Sequence, residues 1–277
     1  MKLAGVVVLY NPSVDNIKFI NTYVDEVDKL YVVDNSDDNI KRLNSTDKIE
    51  YVKLNKNMGI AHALNVGAKR AIKDKFKYLL TLDQDSKITK KNIKDMKSFI
   101  GKTKLKKIGL VSPYQDIDSG DKLPEDEYTD IIEIMTSGNI IYLNAYQEIG
   151  GFKDWLFIDA VDLEYCLNLH KHGYKVLRLN NVIMKHNLGN YSIHKFLGKD
   201  YRCSNHNATR RYYMVRNNLY VRDMYHDMFP EYTDWLIGVQ KGQAKRVFMF
   251  EKNKFKKLRY MYKGYNDYKK GIQGKLK

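Results

Sequence analysis

The chain has 277 residues, 43% of them apolar and 12% aromatic, and carries 48 Lys+Arg against 33 Asp+Glu, a formal net charge of +15. Such a composition supports a sizeable core, as one large domain or a domain with an extension, and excludes disordered, collagen-like and repeat classes. Two cysteines, Cys166 and Cys203, exclude a disulfide framework or a cysteine metal cluster and suit reduced thiols in a cytosolic protein.

The N-terminal run "KLAGVVVLY" predicts a first strand, stopped by Asn11-Pro12; without a small-residue cleavage site it does not read as a signal peptide. "VDNIKFINTYVDEV" predicts a helix, "KLYVVDNS" a second strand and "IEYVKLN" a third. "NMGIAHALNVGAKRAIKD" predicts a helix with Asn57 placed to cap it. "KYLLTLDQD" predicts a fourth strand, followed by a lysine-rich helix from about Thr89 and a fifth strand at "KIGLVSPY".

Residues 114–130 are polar and turn-rich, the pattern of a mobile excursion. From Thr136 the order is strand, short helix, Gly150-Gly151 turn, a longer helix ending at Gly173, and another strand. From about Tyr191 the pattern reads as helical, which places a boundary between residues 1–190 and 191–277. No run approaches the roughly 20 apolar residues that span a bilayer.

Continuous apolar strands alternating with helices predict an α/β protein with a mostly parallel sheet covered on both faces. Ligands of such sheets bind beyond the carboxyl ends of the strands. Here those ends carry Tyr10-Asn11-Pro12, Asp34-Asn35-Ser36, Leu54-Asn55 and Asp83-Gln84-Asp85. Side chains two apart on a strand share a face, so Asp83 and Asp85 can aim at one point while Gln84 faces away. Two carboxylates there suit a hard divalent cation, which takes one or two such ligands plus phosphate oxygens and water. A second acidic group lies in "FIDAVDLEYC". If the helix has begun by Asp159, then Asp159 and Asp162 share a face, and either can act as a general base.

Charge is uneven. Residues 1–190 hold 28 Lys+Arg against 26 Asp+Glu, whereas residues 191–277 hold 20 against 7, together with 11 of the 22 tyrosines. In "FEKNKFKKLRYMYKGYNDYKKG", Phe255, Leu258, Tyr262 and Tyr265 form one helical stripe, with Lys254, Lys256, Lys257, Lys263 and Lys270 mostly off it. That pattern fits either a solvated helix packing its stripe on the domain or a helix lying on an anionic membrane surface. Tyr212, Tyr213, Arg216 and Asn217 sit about one turn apart and fit either an acceptor-facing or a helix-packing role.

The ordered pieces "VVLYNP", "VVDNS", "NMGIAHALNVG", "LTLDQDS", "TSGNIIYL", "GGFKDWLFIDAVDLEYCLNLHKHGYKV", "KHNLG" and "RRYYMVRNN" cover roughly residues 1–220. As a set they resemble inverting family 2 glycosyltransferases of the GT-A nucleotide-sugar-binding fold, most nearly the bacterial rhamnosyltransferases of surface polysaccharide synthesis. The resemblance implies a donor such as dTDP-L-rhamnose or a UDP-sugar, Mg²⁺ or Mn²⁺, and a lipid-linked or oligosaccharide acceptor. It also implies a cytoplasmic location peripheral to the membrane. Asp34 would meet the nucleobase, with Tyr10, Asn11 and Pro12 lining that pocket and Asn57 in the donor-binding set. Asp83 would contact the ribose and metal region, Asp85 the metal, and His186 would complete the metal or diphosphate site. Asp162 occupies the place of the catalytic aspartate. The family's usual Glu-Asp is Val161-Asp162 here, and a common arginine six residues on is Asn168, which leaves Asp159 as the alternative base.

A nucleic-acid binder using the basic last third is the rival of another class, but no zinc-finger or RNA-recognition motif accompanies it. A sugar-phosphate nucleotidyltransferase would need a glycine-rich, basic N-terminal loop, which "VVLYNPSVDN" does not supply.

Overall fold

The computed structural model describes residues 1–38, 40–116, 122–185 and 191–277. Its contacts divide into two compact units, Met1–Asp154 with Asp162–His186, and Trp155–Val161 with Asn187–Lys277.

In the first unit, strands β1 (Ala4–Leu9), β2 (Lys29–Asp34), β3 (Ile49–Lys53) and β4 (Tyr78–Asp83) pair in parallel in the order β3-β2-β1-β4. All six residues of β1 are buried, as expected for a strand covered on both faces. The sheet continues through β7 (Asn139–Tyr142), β5 (Ile108–Asp116), β8 (Lys175–Lys185) and β6 (Tyr128–Asp130). There β5 and β8 run parallel, while β7 is antiparallel to both β4 and β5, and β6 is antiparallel to β8. The sheet is therefore mixed toward that edge.

Leu80, Leu82, Val111 and Ile140 pack into the core with residues of α1 (Val14–Tyr23) and α3 (Lys90–Lys102). The alternate residues Thr81, Leu110 and Ile141 face Tyr165 and Cys166 of α5 (Val161–Lys171). Helix α2 (Ile60–Lys73) packs so closely on β1 that a Cβ at Gly67 would fall 2.2 Å from Val6 Cγ2. Both Ser13 and Thr89 begin their helices with capping boxes, each reciprocated by an asparagine three residues on. Asn57 does not cap α2. Gly59 holds that position at φ 89°, and Asn57 Oδ1 instead accepts the Gly59 N–H at 2.9 Å, one turn-residue early.

The turn after α4 (Leu143–Glu148) is fixed by Asn65 of α2. Asn65 Oδ1 accepts from Tyr146 Oη at 2.6 Å and from the Phe152 N–H at 3.1 Å, while its Nδ2 donates to the Phe152 carbonyl at 2.7 Å. This turn carries Gly150 and Gly151, both at positive φ. At Gly151 a side chain would also meet the Tyr146 ring 2.7 Å away.

The second unit contains helices α6 (Ala208–Tyr225), α7 (Pro230–Phe250) and α8 (Lys254–Lys269). Ahead of them lies an antiparallel hairpin, β9 (Ser192–Phe196) and β10 (Lys199–Cys203), where the sequence pattern reads as helix. Its two-residue turn, Leu197-Gly198, has both residues at positive φ, the geometry that matches strand twist. Phe250 of α7 stacks on His194 of the hairpin at 5.1 Å.

Arg216 of α6 is fully buried. It donates to the carbonyls of Gly274 at 2.7 Å and of Trp155 and Leu156 at 3.3 Å each, and lies over the rings of Tyr212 and Tyr213. Asn217 Nδ2 adds bonds to the carbonyls of Leu156, Ile158 and Asp159 at 2.8–2.9 Å. These two buried side chains thus satisfy the backbone of an irregular segment that has no ladder of its own. Tyr213 stacks on Phe157 of that segment, and Tyr212 Oη donates to Asp267. All four motif residues pack inside the unit.

Of the two arrangements the aromatic stripe allows, helix α8 does not take the one that packs the stripe inward. Lys257, Met261, Gly264 and Asp267 are buried, while Phe255, Tyr262 and Tyr265 are exposed. The reason is Gly264, where a Cβ would stand 2.5 Å from the Tyr212 carbonyl oxygen and 3.4 Å from the Arg216 nitrogen of α6. Backbone contact at that point decides the rotation of α8, and the buried charges are paired: Lys257 with Glu251 at 2.7 Å and Asp267 with Lys263 at 2.9 Å. Among the described residues no helix is long and apolar enough to cross a membrane.

Candidate active site

Parallel pairing brings the acidic strand ends of the first unit together. Leu9 of β1 is in register with Asp34, and Val8 with Asp83, so the two carboxylates flank the end of one strand. The turn that follows β1 is tied to both neighbours. The Tyr10 N–H donates to Gln84 Oε1 at 2.8 Å, and the Asn11 N–H to Ser36 Oγ at 2.8 Å. Asn16 Nδ2 reaches the Gln84 carbonyl at 3.2 Å. Asn11 has φ 45°, a left-handed value asparagine tolerates better than most residues. Pro12 is half-buried and Tyr10 is 43% exposed, leaving its ring open to a ligand. Gln84 is the residue that sequence reasoning missed: it is a strut between strand ends, and an amide between two aspartates gives no sign of that partner.

Asp34 is fully buried and its carboxylate is occupied by the protein. Oδ2 accepts from Tyr51 Oη at 2.5 Å and Arg42 Nη1 at 2.9 Å, with Lys53 Nζ at 3.3 Å, and Oδ1 accepts the Ser36 N–H at 3.0 Å. Burial by itself would raise its pKa, but the bonds from Ser36 and Tyr51 and the charge of Lys53 outweigh it and hold the carboxyl below the ordinary range. Arg42 also pairs with Asp38, whose carboxyl lies well below its usual value because of that bond. Asn57 joins this rim, its Oδ1 accepting from Asn35 Nδ2 at 3.1 Å and its N–H donating to Asp37 at 2.9 Å.

Strand β4 ends at half-buried Asp83, and exposed Asp85 lies in a turn closed by the Ser86 N–H on the Asp83 carbonyl at 3.1 Å, so the two aspartates are not alternate residues of one strand as expected. Ser86 Oγ accepts the Asp83 N–H at 2.8 Å and closes a short bond with Ser137 Oγ. Thr81 Oγ1 donates to the Thr136 carbonyl at 2.6 Å, and the Gly138 N–H to the Thr81 carbonyl at 2.8 Å. Gln115 Nε2 binds the carbonyls of Met135 and Ser137 from the other side. The Thr136–Asn139 segment is therefore stitched along the end of β4. Asp162, in the first turn of α5, lines a small cavity with Thr81, Thr136, Asn139 and Tyr165. Asp85 and Asp162 both belong to the first unit, where the Ser86–Ser137 bond ties the turn after β4 to the Thr136–Asn139 segment that borders the Asp162 cavity. Asn139 Oδ1 and Tyr165 Oη have no hydrogen-bond partner among the described residues, which gives the cavity a polar lining beside Asp162.

Asp159 is placed differently. Phe157, Asp159 and Ala160 have φ of 66°, 62° and 61°, so the helix has not begun there and the shared-face arrangement with Asp162 does not form. Its carboxylate is committed to a two-point pair with Arg210 Nε and Nη2. His186 lies outside the described residues.

Among the described residues no three His, Cys, Asp or Glu side chains converge as a metal cluster. Two carboxylates at a strand end still fit a cation whose remaining ligands are diphosphate oxygens and water, the habit of Mg²⁺ and Mn²⁺ rather than of zinc. The donor set is all oxygen, and both side chains are reachable.

Comparison with known proteins agrees with this architecture. The glycosyl transferase family 2 profile matches residues 17–151. The chain is 29% identical over 231 residues to the dTDP-rhamnosyl transferase RfbF of Shigella flexneri, covering 77% of each protein. Its fold resembles that of S. aureus TarS 1–349 in complex with UDP (TM-score 0.55, 14% identity, 90% of this chain and 72% of that one). It also resembles GalNAc-T7 with UDP, GalNAc and Mn²⁺ (TM-score 0.60, 10% identity, 98% of this chain and 56% of that one). With acidic strand ends side by side on a mixed α/β sheet, the chain carries a glycosyl transferase family 2 domain of GT-A fold.

Proposed function

We propose that the protein transfers L-rhamnose from dTDP-L-rhamnose, with inversion, to a hydroxyl of a saccharide acceptor in bacterial surface polysaccharide synthesis. The observation that supports the chemistry is that the end of β4, with Asp83 and Asp85 after it, is hydrogen-bonded to the Thr136–Asn139 segment bordering the Asp162 cavity. The likeness to a dTDP-rhamnosyl transferase supports the choice of donor.

In this reading Tyr10, Asn11, Pro12 and Asn57 form the nucleoside rim. Asp34, with its carboxylate fixed by Arg42, Tyr51 and Lys53, shapes the floor under the base. Asp83 and Asp85 would hold a divalent cation, which when bound offsets the charge gathering on the departing diphosphate. Asp162 takes the proton of the acceptor hydroxyl as that oxygen bonds to the anomeric carbon and the carbon–oxygen bond to the diphosphate breaks. Tyr165 and Asn139 keep that part of the wall polar.

The test is a thermal-shift panel of nucleotide sugars with Mn²⁺ or Mg²⁺. We expect dTDP-L-rhamnose to raise Tm most, and Asp85→Ala to abolish the cation-dependent part of the shift. A larger shift with UDP-glucose, UDP-galactose or UDP-galactofuranose reassigns the donor. No shift with any nucleotide sugar rejects the reading.

We further propose that the second unit docks on an anionic membrane surface, which suits a lipid-linked acceptor and a cytoplasmic, peripheral enzyme. The last turn of α7, the loop after it and the outward face of α8 present Phe248, Met249, Phe255 and Tyr262, exposed by 54, 45, 74 and 65%, among Lys252, Lys254 and Lys256. Each such lysine near an anionic leaflet contributes about 1 kcal/mol. Sedimentation with vesicles rich in anionic lipid is expected to exceed that with neutral vesicles by at least about tenfold in partition, since three lysines at that contribution supply about 3 kcal/mol. Equal partition contradicts an electrostatic dock.

A further inference from the structure

The second unit holds a pocket of about 450 Å³ between its hairpin and helices, lined by none of the residues assigned above to donor or base. Four cations line it: Lys199 and Arg202 from β10, Arg211 from α6 and Arg246 from α7. Two carboxylates, Asp200 and Glu251, share the lining. Glu251 is already neutralised. It is buried, accepts from Arg211 Nη2 at 2.6 Å and from Lys257 Nζ at 2.7 Å, and so faces two positive charges with one negative.

Arg211 makes this more than a basic patch. It is only 2% exposed, an expensive place for a guanidinium unless every donor finds an acceptor. Its terminal nitrogens are used, by Glu251, by Ser204 Oγ at 3.0 Å and by Gln243. Its Nε–H has no partner among the described residues. Among those residues Lys199, Arg202 and Arg246 form no ion pair. Arg246 is half-buried, and its guanidinium folds back over Gly242 of the same helix. A local excess of positive charge and two free arginine forks in one concavity, beside a buried arginine whose Nε–H is unsatisfied, describe a site short of an anion with several acceptor oxygens. Planar, bidentate donors favour phosphate oxygens over a single halide-like charge. The volume falls within the range of small-ligand pockets and admits a diphosphate ester.

We propose that this pocket binds a phosphate-bearing ligand of diphosphate size, held by Arg202 and Arg246 at the mouth above the buried Arg211–Glu251–Lys257 cluster. Such a group is carried by a lipid-linked sugar acceptor and equally by a soluble phosphate ester. The site stands on the second unit alone and does not depend on the choice of donor or base.

The experiment is calorimetric titration of the full-length protein with inorganic pyrophosphate, at fixed ionic strength and in chelator, so that no cation-dependent binding at Asp83 and Asp85 contributes. Saturable binding is expected, weakened at least tenfold in Arg202→Gln and in Arg246→Gln and unchanged in Asp85→Asn. Neither arginine is buried, and unchanged melting curves show that the variants fold. A prenyl diphosphate probe then separates the sources: binding at least tenfold tighter than pyrophosphate assigns a lipid-linked ligand, and equal binding assigns a soluble ester. Absence of saturable binding overturns the proposal. So does binding that survives both arginine substitutions, or that is lost in Asp85→Asn and therefore belongs to the strand-end crevice.

Discussion

Replacing Asp162 by asparagine is expected to lower kcat by about 10²–10⁴, the range by which a positioned general base accelerates proton transfer. The two side chains are nearly isosteric, so the cavity with Thr81, Thr136 and Asn139 should survive. Donor affinity, read by the nucleotide-sugar thermal shift, should stay within a few-fold, because the loss lies in the chemical step. The companion Asp159→Asn is expected to act differently. That carboxylate is 10% exposed and holds Arg210 through two nitrogens, so its loss disturbs a backbone segment already at left-handed dihedrals. We expect its effect on kcat to stay within about tenfold, below the range for a lost general base, together with a lowered Tm. Single-turnover rates of the two variants decide between them: wild-type turnover in Asp162→Asn, with collapse in Asp159→Asn, would move the base to position 159.

Arg216→Met is expected to destabilise the protein by about 3–5 kcal/mol, since the carbonyls of Gly274, Trp155 and Leu156 lose their donor and each buried orphan acceptor costs about 1–3 kcal/mol. The guanidinium also packs against two tyrosine rings, contacts a methionine replaces only in part. Arg216→Lys should recover little. An ammonium cannot reach three divergent carbonyls with the fork of a guanidinium. Urea unfolding of the two variants against the parent measures this, and a loss below about 1 kcal/mol for Arg216→Met would contradict the clamp.

Strands β1, β2 and β4 were legible because each is a largely apolar run that ends at polar residues, and the start of α3 because Thr89 and Asn92 form a capping box. The meeting of Asp34 and Asp83 followed from strand order alone. What was hidden has local physical causes. Asn57 looks like a cap, yet the positive φ of Gly59 moves the helix start two residues on. The hairpin at 192–203 carries mixed polar and aromatic residues with no clear alternation, and only Gly198 marks its turn. The aromatic stripe of α8 has helical spacing, but spacing does not say which face is buried; the single hydrogen at Gly264 does. The Arg216–Asn217 clamp joins residues about 60 apart through backbone carbonyls, which leave no mark in side-chain patterning.

The crossing at Gly264 also sets how this surface can vary among descendants of the sequence. Drift is open on the outer side of α8, where residues such as Phe255 and Tyr262 are exposed, and closed at one carbon on the inner side. A methyl group there would press on the carbonyl of Tyr212 and the nitrogen of Arg216, so it would lever the guanidinium off its three acceptors. An alanine at 264 would then be felt a helix away, as a fault in the segment at 155–159.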